Sequence, residues 1–132
     1  MKVFVDTSAF IAVLDADDEN HSKAKEIWRE LVSKEEILLS TNYVLVETLA
    51  IVQHRLGIEA VRALQEDIFP ILNIEWIDEH VHQAGIISVL TAMRKKLSLV
   101  DCVSFNIMRQ LGIKKAFVFN THFKEQGFNC IP

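Results

Sequence analysis

The sequence predicts an α/β protein built on a parallel sheet, and three features carry that prediction. Short β-branched or aromatic runs read as strands, longer segments of helical period follow them, and the alternation repeats to the end of the chain. Strands and helices in that order form parallel sheets. With 132 residues, the expectation is a single domain over 1–132, long enough to bury a continuous core without staples.

The first strand is predicted over about Val3 to Val5, ending at Asp6. An acidic cluster from Asp15 to Glu19 falls where the first helix ends. Negative charge is disfavoured in a last helical turn, so these residues read as a solvated loop. Ala24, Ile27, Trp28 and Leu31 follow the i, i+3, i+4, i+7 spacing of a helix with one buried face. A second strand, Ile37 to Leu39, runs into Ser40, Thr41 and Asn42, good caps for the next helix. That helix carries Val44, Leu45, Thr48, Leu49, Val52 and Leu56, and Gly57 stops it. A further helix spans about Glu59 to Ile68 ahead of Pro70, alternating Ile74, Trp76 and Asp78 predict a third strand, and another helix runs from about His80 to Leu97. The helix beginning near Asp101 is apolar over much of its circumference, through Val103, Phe105, Ile107, Met108 and Leu111, and ends at Gly112. It is expected to lie deep in the fold. Ala116 to Phe119 reads as a fourth strand and Phe128 to Ile131 as a short edge strand.

Half of the residues are hydrophobic, with only four glycines and two prolines, which excludes a disordered chain. Charge or polarity breaks every apolar run well before the ~18 residues of a membrane span. The opening MKVFVD enters a strand at once, without an apolar leader or a small-residue cleavage site, so the expected location is the cytoplasm. Cys102 and Cys130 are isolated thiols that form no CxxC pair. The formal net charge of −4 opposes bulk attraction to a polyanion, so any nucleic-acid contact has to be local. Arg94, Lys95 and Lys96, just before Asp101, form a basic patch that is either a solvated helix end or an RNA-facing surface; Lys114 and Lys115 form another.

Four separated segments each set one acid or amide beside an apolar run: VFVDTSAF with Asp6, STNYVLVETL with Glu47, LSLVDCVSF with Asp101 and AFVFNTHF with Asn120. In an open parallel sheet, ligands bind beyond the carboxyl ends of the strands. Asp6 and Asn120 follow strands directly, while Asp101 and Glu47 lie near the starts of helices leaving the same edge. Three carboxylates gathered there repel one another, and a divalent cation resolves the conflict. Oxygen ligands without a cysteine or a paired histidine favour Mg²⁺ or Mn²⁺ over zinc. Such ions activate water for attack on a phosphodiester. Thr7 and Ser8 serve either a phosphate or the backbone as caps, and Ser104, one turn beyond Asp101, is placed to face the same way. His122 has no partner identifiable from sequence and is left outside the catalytic set.

The Asp6-Thr7-Ser8 opening, the Glu47 helix, the SLVDC turn and the closing FNTHF followed by Gly127 and Phe128 resemble the PIN domain, in its order and over essentially the whole chain. In its compact form the chain looks like the VapC-type toxins and their stand-alone relatives. The resemblance implies a three-layer α/β/α sandwich around a central parallel sheet of four to five strands. It implies a Mg²⁺- or Mn²⁺-dependent endoribonuclease whose metal is held by Asp6, Glu47 and Asp101, with RNA as substrate. It also implies a homodimer and, for a toxin, an antitoxin whose tail fills the groove. Asn120 departs from the pattern, which usually carries aspartate there. Its oxygen can still ligate Mg²⁺, but three carboxylates suit one tightly held ion better than two. Asn120 also supports an alternative of another class, a catalytically weak module of the same fold that binds RNA or a partner protein. A receiver-like phosphoryl-transfer domain is set aside, because Asp6 has no adjacent acid pair and no glycine-rich phosphate loop is present.

Overall fold

The computed structural model describes residues 1–132. In chain order the elements are β1 (Lys2–Val5), α1 (Thr7–Leu14), α2 (His21–Ser33), β2 (Ile37–Thr41), α3 (Asn42–Leu56), α4 (Ile58–Ala63), β3 (Asn73–Glu75), α5 (Glu79–Ala92), α6 (Leu99–Leu111), β4 (Lys115–Phe117), α7 (His122–Glu125) and β5 (Asn129–Ile131). The five strands are all parallel, in the order β3-β2-β1-β4-β5. Val3, Phe4 and Val5 are each fully buried, so both faces of the central strand are covered, as a helix–sheet–helix sandwich requires. Phe117 and Phe123 join them in the core.

The strand order places the site. From β1 the chain winds outward through β2 and β3, then returns to the other side of β1 with β4 and β5. The winding reverses between β1 and β4, and the crevice outside their carboxyl ends is where such sheets bind ligands. Asp6 follows β1, its N–H donating to the Phe117 carbonyl at 3.2 Å, and Asn120 follows β4 closely.

Several boundaries differ from the sequence expectation for identifiable reasons. The third strand stops at Glu75: the Ile77 N–H donates to Asn42 Oδ1 at 2.6 Å and Asp78 caps α5, which takes Trp76 and Asp78 off the strand. Helix α5 ends at Ala92 instead of Leu97, because Met93 adopts a left-handed conformation (φ 52°). Arg94, Lys95 and Lys96 therefore occupy a turn, not a last helical turn. The segment from Glu59 to Ile68 is helical throughout, but α4 passes into a π-helical turn at Leu64–Ile68.

Helix α6 is buried through Cys102, Val103, Ser104, Phe105, Ile107 and Met108 and meets α5 where Gly85 lets the two approach. A Cβ on Gly85 would lie 2.6 Å from Val103 Cγ2 and 3.0 Å from Leu99 Cδ1. Gly85→Ala is therefore expected to destabilise the fold by about 1–3 kcal/mol despite alanine's better helix propensity. A lower urea midpoint with an unchanged m-value would show it.

A candidate active site at the carboxyl edge of the sheet

Asp6 caps α1, and its burial (3% exposed) follows from its position directly after the central strand. Its Oδ2 accepts from Ser8 N at 3.2 Å, Ser8 Oγ at 2.8 Å and Asn120 Nδ2 at 3.3 Å. Even so, burial first, then the neighbouring charges of Asp101 and Glu47, push its carboxyl up to about 6. Asp101 is the third residue of α6 and forms a capping box with Ser98: Asp101 N donates to Ser98 Oγ at 3.0 Å and Ser98 N to Asp101 Oδ2 at 3.3 Å. Glu47, in the second turn of α3, is half-buried with no hydrogen-bond partner.

Asp6, Glu47, Asp101 and Asn120 line one open cavity of about 430 Å³. The sequence-predicted residues from four segments are thus brought to one place. No three Asp, Glu, His or Cys side chains are gathered tightly enough to clasp an ion as they stand. The donor chemistry nevertheless fits a hard divalent cation: Asp6, Glu47 and Asp101 are three of the four carboxylates lining the cavity, and Asp6 is pushed upward by its burial and by the charges of the other two.

Two contacts were not legible beforehand. His122 Nδ1 lies 3.2 Å from Asp101 Oδ2, joining α7 to α6 across the mouth. The His122 N–H donates to Asn120 Oδ1 at 3.0 Å, which fixes the amide orientation and turns its NH₂ toward Asp6. In this arrangement Asn120 donates to Asp6, and its amide oxygen, the group expected to ligate metal, accepts from the His122 N–H. The spacing of Asn120 and His122 by two residues was the available signal.

The hydroxyls resolve toward structure. Thr7 Oγ1 donates to the Val44 carbonyl at 3.5 Å and accepts from Thr48 Oγ1 at 3.1 Å, pinning α1 to α3. Ser8 Oγ gives its proton to Asp6 and accepts from Phe119 N at 3.0 Å. Both line the cavity while their hydroxyls bond within the protein, which favours the structural of the two expected roles. Ser104 is fully buried, its Oγ unpartnered, and it does not reach the cavity, because α6 is enclosed on that side too. In the basic turn, Lys96 lines the cavity, Arg94 pairs instead with Glu125 at 3.0 Å, and Lys95 is exposed and not among the cavity's lining residues. From the acidic cluster, Asp18 lines the cavity with Asn20 close behind, so that loop is not merely solvated.

Residues 3–129 match the family model of the PIN domain. The chain belongs to the PIN-domain family. It is 31% identical over 127 residues to the 23S rRNA-specific endonuclease VapC20 of Mycobacterium tuberculosis, covering 96% of this chain and 95% of that relative. Its PIN fold superimposes on the crystal structure of the same VapC20, described as a Sarcin-Ricin loop cleaving toxin, with a TM-score of 0.84, 29% identity and coverage of 96% and 95%. FitAcB from Neisseria gonorrhoeae shares the fold at a TM-score of 0.70 and 14% identity, over 100% of this chain and 97% of that one. No helix is long and apolar enough to cross a membrane.

Proposed function

We propose that this PIN domain is a metal-dependent endoribonuclease hydrolysing RNA phosphodiester bonds, the toxin of a toxin–antitoxin pair or a stand-alone relative. The observation that carries the reading is the meeting of Asp6, Glu47 and Asp101 at one cavity outside β1 and β4, in a chain 31% identical to an RNA endonuclease. Those three residues would hold Mg²⁺ or Mn²⁺. A divalent ion held there supplies activation of water and stabilisation of the departing oxygen.

The chain's own residues do the rest. Ser8 and Asn120 direct three donors at one oxygen of Asp6 and leave the other without a hydrogen-bond partner. Ser98 and His122 fix Asp101 in the same way. Lys96 brings a positive charge to the rim, where an RNA backbone arrives. The same reading assigns a cytoplasmic location, a homodimeric state and an antitoxin partner. Ile87, Leu90 and Met93, which form an exposed apolar stripe on and just beyond α5, support contact with another protein.

Because Asp6 has to be ionised to ligate, Mn²⁺ affinity is expected to fall as pH drops through about 6, with proton uptake at that carboxyl. Calorimetric titrations on either side of that pH measure the change. The function itself is tested with single-stranded and looped RNA in Mn²⁺. Cleavage that stops with EDTA and returns with added Mn²⁺ is the expected result. A second reading, an RNA- or protein-binding module with little turnover, draws on Asn120 and on the acids standing apart. RNA binding without metal-dependent cleavage would select it.

A further inference from the structure

The cavity that holds the three acids is longer than they need. It continues along the groove between α1 and α3, floored by Ile11 and Ile51, and reaches Arg55 in the last turn of α3. Glu47, Ile51 and Arg55 recur at intervals of four and so share one side of that helix. At the 1.5 Å rise of an α-helix, Arg55 stands about 12 Å beyond Glu47. That is the length of about three to four nucleotides at the 3.4 Å per base of a stacked strand, and fewer in an extended one.

Arg55 and Lys96 are the cavity's two Lys or Arg residues. Neither forms an ion pair, although Asp18 and Glu47 line the same cavity, whereas Arg62 and Arg94 elsewhere are paired with glutamates. An unpaired guanidinium at the end of an apolar-floored groove, in a chain of net charge −4, is a local answer to an unfavourable overall field. Its planar donors match a phosphate, and the apolar floor between it and the acids suits the face of an unstacked base.

We propose that the α1–α3 groove is a nucleotide subsite flanking the cleaved bond, in which Arg55 holds an RNA phosphate and Ile11 and Ile51 carry the adjoining base. The proposal rests on the endoribonuclease reading and adds to it the direction in which the strand leaves the acids. It commits to a single-stranded RNA occupant, since a duplex keeps its bases stacked and unavailable to the floor.

The test is Arg55→Gln in the full chain, with Arg29→Gln, an exposed cation of α2 outside the cavity, as the control for net charge. A single-stranded oligoribonucleotide is titrated at several salt concentrations with Ca²⁺ in place of Mn²⁺, and cleavage is then followed in Mn²⁺. Arg55→Gln is expected to weaken RNA binding about tenfold and to lower the slope of log K against log salt by about 0.7, the loss of one single-strand phosphate contact. KM rises, kcat changes little, Mn²⁺ affinity is unchanged, and Arg29→Gln behaves as the unmodified chain. An unmodified chain that binds and cleaves RNA while Arg55→Gln matches it in affinity and slope overturns the subsite alone. An unmodified chain that binds RNA but never cleaves it, with Arg55→Gln still showing the expected loss, overturns the nuclease reading and keeps the subsite. A chain that binds no RNA overturns both.

Discussion

Asp6→Asn is expected to abolish Mn²⁺ binding and RNA cleavage while making the metal-free protein more stable. The carboxyl is pushed from 3.8 to about 6 by burial and by the charges of Asp101 and Glu47. At about 1.4 kcal/mol per unit, keeping it ionised at neutral pH costs about 3 kcal/mol. The sign follows from linkage: a carboxyl whose folded value lies above its unfolded one weighs against folding in full above pH 6, and the burden lifts as pH falls from 6 toward 3.8. Asparagine keeps an oxygen for the three donors from Ser8 and Asn120 and carries no charge. A gain of about 1–3 kcal/mol at pH 7 that shrinks toward pH 4 is the expected signature, together with cleavage reduced more than 100-fold, beyond what loss of an outer-shell partner costs. Urea denaturation at both pH values and a Mn²⁺ cleavage assay read the two halves.

Asn120→Asp should move the metal-free protein the other way. The amide NH₂ that donates to Asp6 Oδ2 at 3.3 Å is replaced by a carboxylate oxygen. A favourable contact becomes a repulsive one beside an already strained buried acid, with an expected loss of about 1–3 kcal/mol in stability. Mn²⁺ should recover more than that loss, because four carboxylates offer a divalent ion a stronger field than three. Thermal unfolding with EDTA and with saturating Mn²⁺ measures both effects. Asn120 is then a compromise: it places one negative charge fewer at the site than aspartate would and donates a hydrogen bond to Asp6 Oδ2.

The strands and the acids were legible because their signals are local. Val3 to Val5, Ile37 to Leu39 and Ala116 to Phe119 are short apolar runs, the last ending as a strand already at Phe117, and an acid or amide shortly after such a run in a parallel sheet has one edge to project from. Asp101 could be placed near a helix start because an apolar helical stretch follows it, whereas its capping box with Ser98 emerged only in the structure. The end of α5 was not legible: its left-handed stop falls on Met93, where no glycine marks it, and the basic residues that follow favour helix. The contact of His122 with Asp101 joins residues 21 apart and depends on how α7 lies against α6. The fates of the Thr7 and Ser8 hydroxyls were equally hidden. They are decided by the Val44 carbonyl and the Phe119 N–H, which only the packing of α3 and the end of β4 bring within reach.

Mn²⁺ titration by calorimetry, on the unmodified chain and on Asp101→Ala with RNA cleavage followed in parallel, tests the central claim most directly. The account predicts one ion per chain and Mn²⁺-dependent cleavage in the unmodified protein, with both lost in Asp101→Ala, because Asp101 is one of the three cavity carboxylates assigned to the ion, with Asp6 and Glu47. Cleavage that persists undiminished in Asp101→Ala would place the chemistry elsewhere and contradict the account.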